Sequence, residues 1–323
     1  MDNRLALYEV ASEHGLDTLG TQTLLQAAGF EEEPAALQRW FWRGAAVLAA
    51  ALGGLGLVLW VAANWESLGR AGRFALLQGA VLTMGLGAAL LPRQRTPLGL
   101  LALLGIGSLF AYFGQTYQTG ADAWQLFALW AGLGVFLCLG VRSDVLWAPW
   151  ALVAMTAISL WTFTHTGHRW RAESQDLGVY AQAWLAAIAV VGFLSPALAR
   201  FTGAGPWALR TAATLTIISM TLAGITALFH SEIAAHYPLA LVLFALAACV
   251  LALRQCFEVF ILSGVVLGLN ALLIAGLARW LFKDGESEMI GQLLLIGLVA
   301  AGLLAFSVSA ITRLARQHGT GVK

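Results

Sequence analysis

From residue 44 onward the chain is a series of apolar runs, each about as long as a bilayer is thick, broken by short polar clusters. A helix needs about 20 mostly apolar residues to cross the hydrocarbon core. Ten stretches meet that length: 44–63, 74–92, 97–114, 123–141, 145–164, 179–199, 206–229, 237–253, 257–280 and 289–312. The breaks between them include Pro92-Arg93, Thr119-Gly120, Arg142-Ser143-Asp144, His168 to Asp176 and Lys283 to Glu288. No run alternates with the period of two that marks a barrel strand, and lipid offers a backbone no hydrogen-bond partner. Both facts require helices. The pattern therefore predicts an all-α, polytopic transmembrane bundle of ten spans over residues 41–312. A cytoplasmic helical segment, 1–40, is expected before it and a cytoplasmic tail, 313–323, after it.

The first forty residues read differently. Seven acids (Asp2, Glu9, Glu13, Asp17, Glu31, Glu32, Glu33) face only Arg4 and Arg39, and no early apolar core predicts a cleaved leader. Leu5, Tyr8 and Ser12 follow helical spacing up to a stop at Gly15. Thr21 is the expected cap of a second helix ending at Gly29, and Pro34 suits the first turn of a third. Trp40-Phe41-Trp42 then forms an interfacial aromatic belt. A hairpin lying on the inner membrane face, able to dock a membrane-protein partner through residues 1–40, is the expectation.

Composition narrows the class. The chain is 59% hydrophobic and 11% charged, with a mean hydropathy of +0.78, where a soluble protein carries about 25% charged residues. A soluble surface cannot be built from so few charges. A net charge of +1 provides no field for a polyanion, so nucleic acid is excluded as a partner and the lipid bilayer is the expected one. Cys138, Cys249 and Cys256 are isolated and read as free thiols. Placing the N-terminus in the cytoplasm puts Arg93, Arg95, Arg142, Arg200, Arg210 and Arg254 on that side, with the Lys and Arg of both termini. Only Arg70, Arg73, Arg169, Arg171, Arg279 and Lys283 fall outside. The two-to-one bias and an even number of spans predict that both termini are cytoplasmic.

Candidate chemistry is sparse. No Walker A loop, nucleophile elbow or dinucleotide fingerprint occurs, so no cofactor is expected. Asn270 is the one strongly polar residue near the middle of a span. It follows Gly264-Val265-Val266-Leu267-Gly268, a spacing that permits close helix contact, and an interhelical hydrogen bond competes there with a substrate contact. His165, His168, His230 and His236, with Glu232, fall on the predicted outer face. They form the only set with metal-ligand character, although HxE and HxxH are weak spacings beside the absent HExxH. Spans three to six, opening the fifth at Arg142-Ser143-Asp144, also parallel spans seven to ten, opening the ninth at Arg254-Gln255-Cys256-Phe257-Glu258.

Two boundary motifs carry a family resemblance. Val61-Ala62-Ala63-Asn64-Trp65 ends the first span, and Phe113-Gly114-Gln115-Thr116-Tyr117-Gln118 precedes Asp122 and Leu126-Phe127-Ala128-Leu129-Trp130. With the helical N-terminal segment, these resemble a bacterial family of multi-spanning proteins known as domain of unknown function 2157, over roughly residues 1–165. The resemblance implies a bacterial integral membrane protein and brings no activity with it. On the predicted topology Asn64, Trp65, Gln115, Tyr117, Gln118 and Asp122 gather at the outer rim, where amides can bind a sugar, a head group or a peptide, or fasten two hairpins together.

Three functions follow as expectations. The first is binding or transport of a small molecule or lipid through an outer polar vestibule, with Asn270 as an inner contact. The second is an assembly subunit of a membrane complex. The third, an enzyme with a periplasmic His/Glu site, has the least support in the sequence.

Overall fold

The computed structural model describes residues 3–29, 35–64, 67, 69–117, 122–167, 173–229, 233–282 and 289–319. Among them are thirteen α-helices, two short 3-10 turns and no strand. The chain divides into two units, residues 1–63 and residues 64–323.

In the first unit, α1 (Asn3–Glu13) ends before a turn in which Gly15 takes a positive φ of 62°. Helix α2 (Thr18–Ala27) begins a turn earlier than expected. Its N-cap is Asp17, whose carboxylate accepts the Gly20 N–H at 2.7 Å, while the hydroxyl of Thr21 donates to the Asp17 carbonyl at 2.9 Å. A carboxylate that reaches an unpaired N–H of the first turn is among the best caps, so Asp17 displaces Thr21 from that role. The expected third helix and first span are one continuous element, α3 (Ala35–Ala63). Its 29 residues give about 43 Å, against a hydrocarbon core of about 30 Å. Pro34 lies outside the described residues.

The second unit contains α4 (Arg70–Leu90), α5 (Arg95–Tyr117), α6 (Ala123–Val141), α7 (Asp144–Thr166) and α8 (Leu177–Phe193). It continues through the single turn α9 (Ala199–Thr202) to α10 (Pro206–Leu228), α11 (His236–Ala252), α12 (Val259–Leu281) and α13 (Met289–Gly319). Each of the ten predicted stretches is therefore a helix. Among the described residues nine are long and apolar enough to cross a membrane; the tenth, α11, is apolar but has 17 residues. Helix α13 continues without a break past residue 312, to Gly319.

Helices α5, α7, α10 and α12 are the most buried of the spans, and α13 the least, with Leu294, Leu298 and Phe306 exposed along it. Aromatic donors stitch neighbours together. The Trp130 indole donates to the Leu103 carbonyl at 2.9 Å, joining α6 to α5, and Trp150 donates to Ala131 at 2.8 Å, joining α7 to α6. The Tyr237 hydroxyl donates to Leu272 at 3.1 Å, joining α11 to α12. Two of these contacts share one device. Gly107 lies one turn after Leu103 and Gly276 one turn after Leu272; a methyl group on either would collide with the donor ring or hydroxyl. Glycine bares the backbone so that the side chain can reach a carbonyl already engaged in its own helix.

The start of α10 is held from another helix. Asp144, the first residue of α7, accepts N–H bonds from Gly205 at 3.0 Å and Ala208 at 2.9 Å on one oxygen, and from Trp207 at 2.9 Å on the other. Pro206 has no N–H to satisfy. One carboxylate thus pairs the exposed donors of the first turn of α10 and meets the positive end of its dipole. Beside it the fully buried Trp147 donates to Thr202 at 2.8 Å and stands edge-on to Trp150 and Phe193.

Two stability outcomes are expected. Gly107→Ala should destabilise by about 1–3 kcal/mol, the usual cost of overpacking, and Trp130→Phe by the roughly 1 kcal/mol of its hydrogen bond plus the cost of the space the smaller ring leaves. Asp144→Ala should cost about 2 kcal/mol or more, because it strands several donors at once. Thermal unfolding midpoints in detergent rank these variants; an Asp144→Ala midpoint equal to wild type would contradict the role given to that carboxylate.

Candidate functional site

Contacts between helices sort the second unit into two ends. At one, the Tyr112 hydroxyl reaches the Arg70 carbonyl at 3.5 Å, Trp124 on α6 meets the His165 ring on α7 at 6.2 Å, and Tyr180 on α8 meets His236 on α11 at 4.9 Å. Arg70, Tyr117, Asp122, His165, Tyr180 and His236 therefore share an end. The other holds Arg142, Asp144, Gly205, Arg210 and Glu258. There the Arg210 guanidinium pairs with Glu258 at 2.7 Å and lies over Phe260, while the second Glu258 oxygen caps α12 at the Ile261 N–H at 2.6 Å.

Of the sequence-predicted rim residues, Gln115, Tyr117 and Asp122 lie at the Tyr117 end. Gln115, Tyr117 and Asp122 are exposed and Asn64 is half-buried. The Tyr117 ring packs at 4.9 Å from Phe113 and 5.8 Å from Phe74, with the Arg70 guanidinium 5.8 Å from its centre. The Asn64 carbonyl accepts the Ser67 hydroxyl at 3.0 Å, and Asp122 begins α6 without a side-chain capping bond. Trp65 and Gln118 lie outside the described residues, so the amide cluster is described only in part.

Of the histidine set, His168, His230 and Glu232 also lie outside the described residues. His165 is exposed and bonds the Trp161 carbonyl of its own helix at 2.8 Å. His236 is fully buried, edge-on to Tyr180 and Trp184. Among the described residues no group of three or more His, Cys, Asp or Glu is placed to hold a metal. Asn270 is buried and donates to the Ser307 hydroxyl at 2.9 Å, tying α12 to α13.

A site that the sequence reading did not single out lies between α7, α8 and α10. A cleft of about 410 Å³ runs from Tyr180, Thr162 and Thr226, toward the Tyr117 end, to Met155, Ala187 and Leu215 deeper in the membrane. Exposed Ile218 and Leu222 are part of its wall, so it opens on the flank of the bundle. Its walls are mostly apolar, with hydroxyls set among them. Thr156, Ser159 and Thr162 recur at three-residue spacing, which keeps them on one side of α7. Ser219 and Thr226 answer from α10. That spacing of hydroxyls inside apolar spans was the available signal. It is weak, because mid-span Ser and Thr usually serve helix packing.

Residues 10–147 match the model of a family described as Predicted membrane protein (DUF2157). No curated protein and no solved structure matches the chain. The match ends in the first turn of α7, so the cleft-lining residues, from Met155 onward, follow it in the sequence. Over the matched region, which contains the Ala-Asn-Trp and Gln-Thr-Tyr-Gln motifs, the chain resembles this family, and it is a membrane protein with several spanning helices.

Proposed function

We propose that the protein binds, and by binding carries or presents, a lipid-soluble small molecule in the flank cleft between α7, α8 and α10. The observation behind this reading is the cleft itself. Small-molecule sites are concavities of roughly 300–1,000 Å³ with apolar walls and a few polar groups, and this one has about 410 Å³ among Trp184, Phe163, Leu215 and a set of hydroxyls. Gln115, Tyr117 and Asp122 stand toward the same end, and we assign the polar rim to them together with the expected Asn64, Trp65 and Gln118; Asn270, bonded to Ser307 and outside the cleft lining, is a separate contact candidate. The bilayer is a bacterial cytoplasmic membrane with both termini inside. Support comes from Arg93, Arg95, Arg142, Arg200, Arg210 and Arg254 gathering toward the Asp144 end, against Arg70, Arg73 and Arg279 toward the other.

A second reading, an assembly subunit, draws on the short helices α1 and α2, which leave Tyr8, Leu16 and Leu19 exposed. Deleting residues 1–33 separates the two, since it should remove a co-purifying partner and leave cleft binding intact.

Two measurements test the main reading. The neutral fluorophore N-phenylnaphthylamine should bind the detergent-solubilised chain saturably. Ser219→Trp, which fills the cleft, should weaken that binding at least about tenfold, while Leu246→Trp on the exposed face of α11 should not; the factor corresponds to about 1.4 kcal/mol of lost contact. Equal binding by all three proteins would refute the cleft. For orientation, a variant carrying Ser174→Cys as its sole cysteine should react in intact cells with an impermeant maleimide, whereas one retaining only Cys256 should react after lysis. The reverse pattern would invert the topology.

A further inference from the structure

The Ser and Thr hydroxyls that α7 and α10 bring to the cleft are already committed as donors, while α8 adds the hydroxyl of Tyr180 and the indole N–H of Trp184. Thr156 donates to the Leu152 carbonyl at 2.7 Å, Ser159 to Met155 at 2.9 Å and Thr162 to Ile158 at 2.9 Å, each back along α7. On α10, Ser219 donates to Thr216 at 2.9 Å and Thr226 to Ala223 at 3.0 Å. A hydroxyl has one hydrogen and two lone pairs, so these five groups can only accept from a guest unless a helix bond is broken first. No residue lining the cleft is charged, and a fixed anion there would find no counter-charge.

The dimensions add a constraint. Met155 to Phe163 on α7 and Leu215 to Thr226 on α10 give the cleft a length of about 12–16 Å at 1.5 Å per residue. That is about half of a 30 Å hydrocarbon core, or one leaflet. Its shallow end carries Tyr180, Thr162 and Thr226; its deep end is formed by Met155, Ala187 and Leu215.

From these facts, and resting on the reading of the cleft as a binding site, we propose that its ligand is a neutral, single-chain lipid alcohol. The hydrocarbon lies along the groove in one leaflet and the hydroxyl donates to the acceptor-only lining of α7 and α10. Selection is by the hydrogen of the head group. An ether of the same chain can accept from Tyr180 or Trp184 but brings no hydrogen to the acceptors of α7 and α10, and a fatty-acid anion brings a charge that no residue of the lining neutralises.

The test uses the full chain in detergent with a diazirine-bearing hexadecanol as photoprobe, and peptide mapping of the adducts. Adducts are expected on residues 155–163 and 215–226. Hexadecanol should compete at least about tenfold better than hexadecyl methyl ether or palmitate, the ratio that one hydrogen bond of ordinary strength is worth. The combined variant Thr156→Val, Ser159→Ala, Thr162→Val, Ser219→Ala, Thr226→Val should still be labelled, with alcohol and ether now competing equally. The wild-type competition is decisive on its own should that variant fail to fold. Adducts in the cleft with ether competing as well as alcohol would overturn the ligand assignment and leave the binding site standing. Adducts confined to α3 or α13 would overturn both.

Discussion

Hydrocarbon offers no partner to a polar hydrogen, and this one constraint organises the bundle. Each donor placed in the membrane must find its acceptor within the protein. The indoles of Trp130, Trp147 and Trp150 and the hydroxyl of Tyr237 are directed at backbone carbonyls of adjacent helices. Ser159 of α7 and Thr216 and Ser219 of α10 turn back on their own helices. Aromatic residues thus serve both as packing volume and as ties between helices. The glycines at 107 and 276 exist as bare backbone where such a tie lands.

The same rule explains why the two ends of α10 differ. Its first turn would present unpaired N–H groups near the membrane boundary, and Asp144 from α7 takes them, while Arg210 one turn further pairs with Glu258 at the start of α12. Two acids from two neighbours therefore converge on the beginning of α10 and fix it. Further along, α10 carries Ser219 and Thr226 instead, and there α7, α8 and α10 leave the cleft between them. Residues 142–144 and 254–258, noted in the sequence as similar span openings, both supply an acid to this one helix, although Asp144 caps α10 and Glu258 pairs with Arg210 while capping α12.

Much of this architecture is legible from hydropathy alone, because burial in lipid is a property of each segment by itself. Every predicted span coincides with a helix, and α11 is the short one, its 17 residues set between the polar His236 at its start and Arg254 just beyond its end. Local chemistry misled at one point: Thr21 looks like a cap, but Asp17 offers a stronger acceptor a turn earlier. Neighbour relations are not legible. Nothing in Asp144 or Gly205 alone says that residues 61 positions apart meet. The cleft was invisible for the same reason, since its wall is assembled from ordinary Thr, Ser, Leu and Ala on three helices. The amides at 64 and 115 drew attention because they are chemically unusual, whereas the space lies where the residues are not.

Whether that space is open to the lipid phase is the claim on which the functional account stands. A spin label at Ser219→Cys, in a background without other cysteines and reconstituted in a bilayer, measures it through collision with dissolved oxygen and with a water-soluble nickel chelate. The account predicts strong oxygen contact and little nickel contact, well above the oxygen contact of a label at the buried Ala213. A Ser219 label as sheltered from oxygen as the one at Ala213 would mean that α7, α8 and α10 close on one another, and the account would fail.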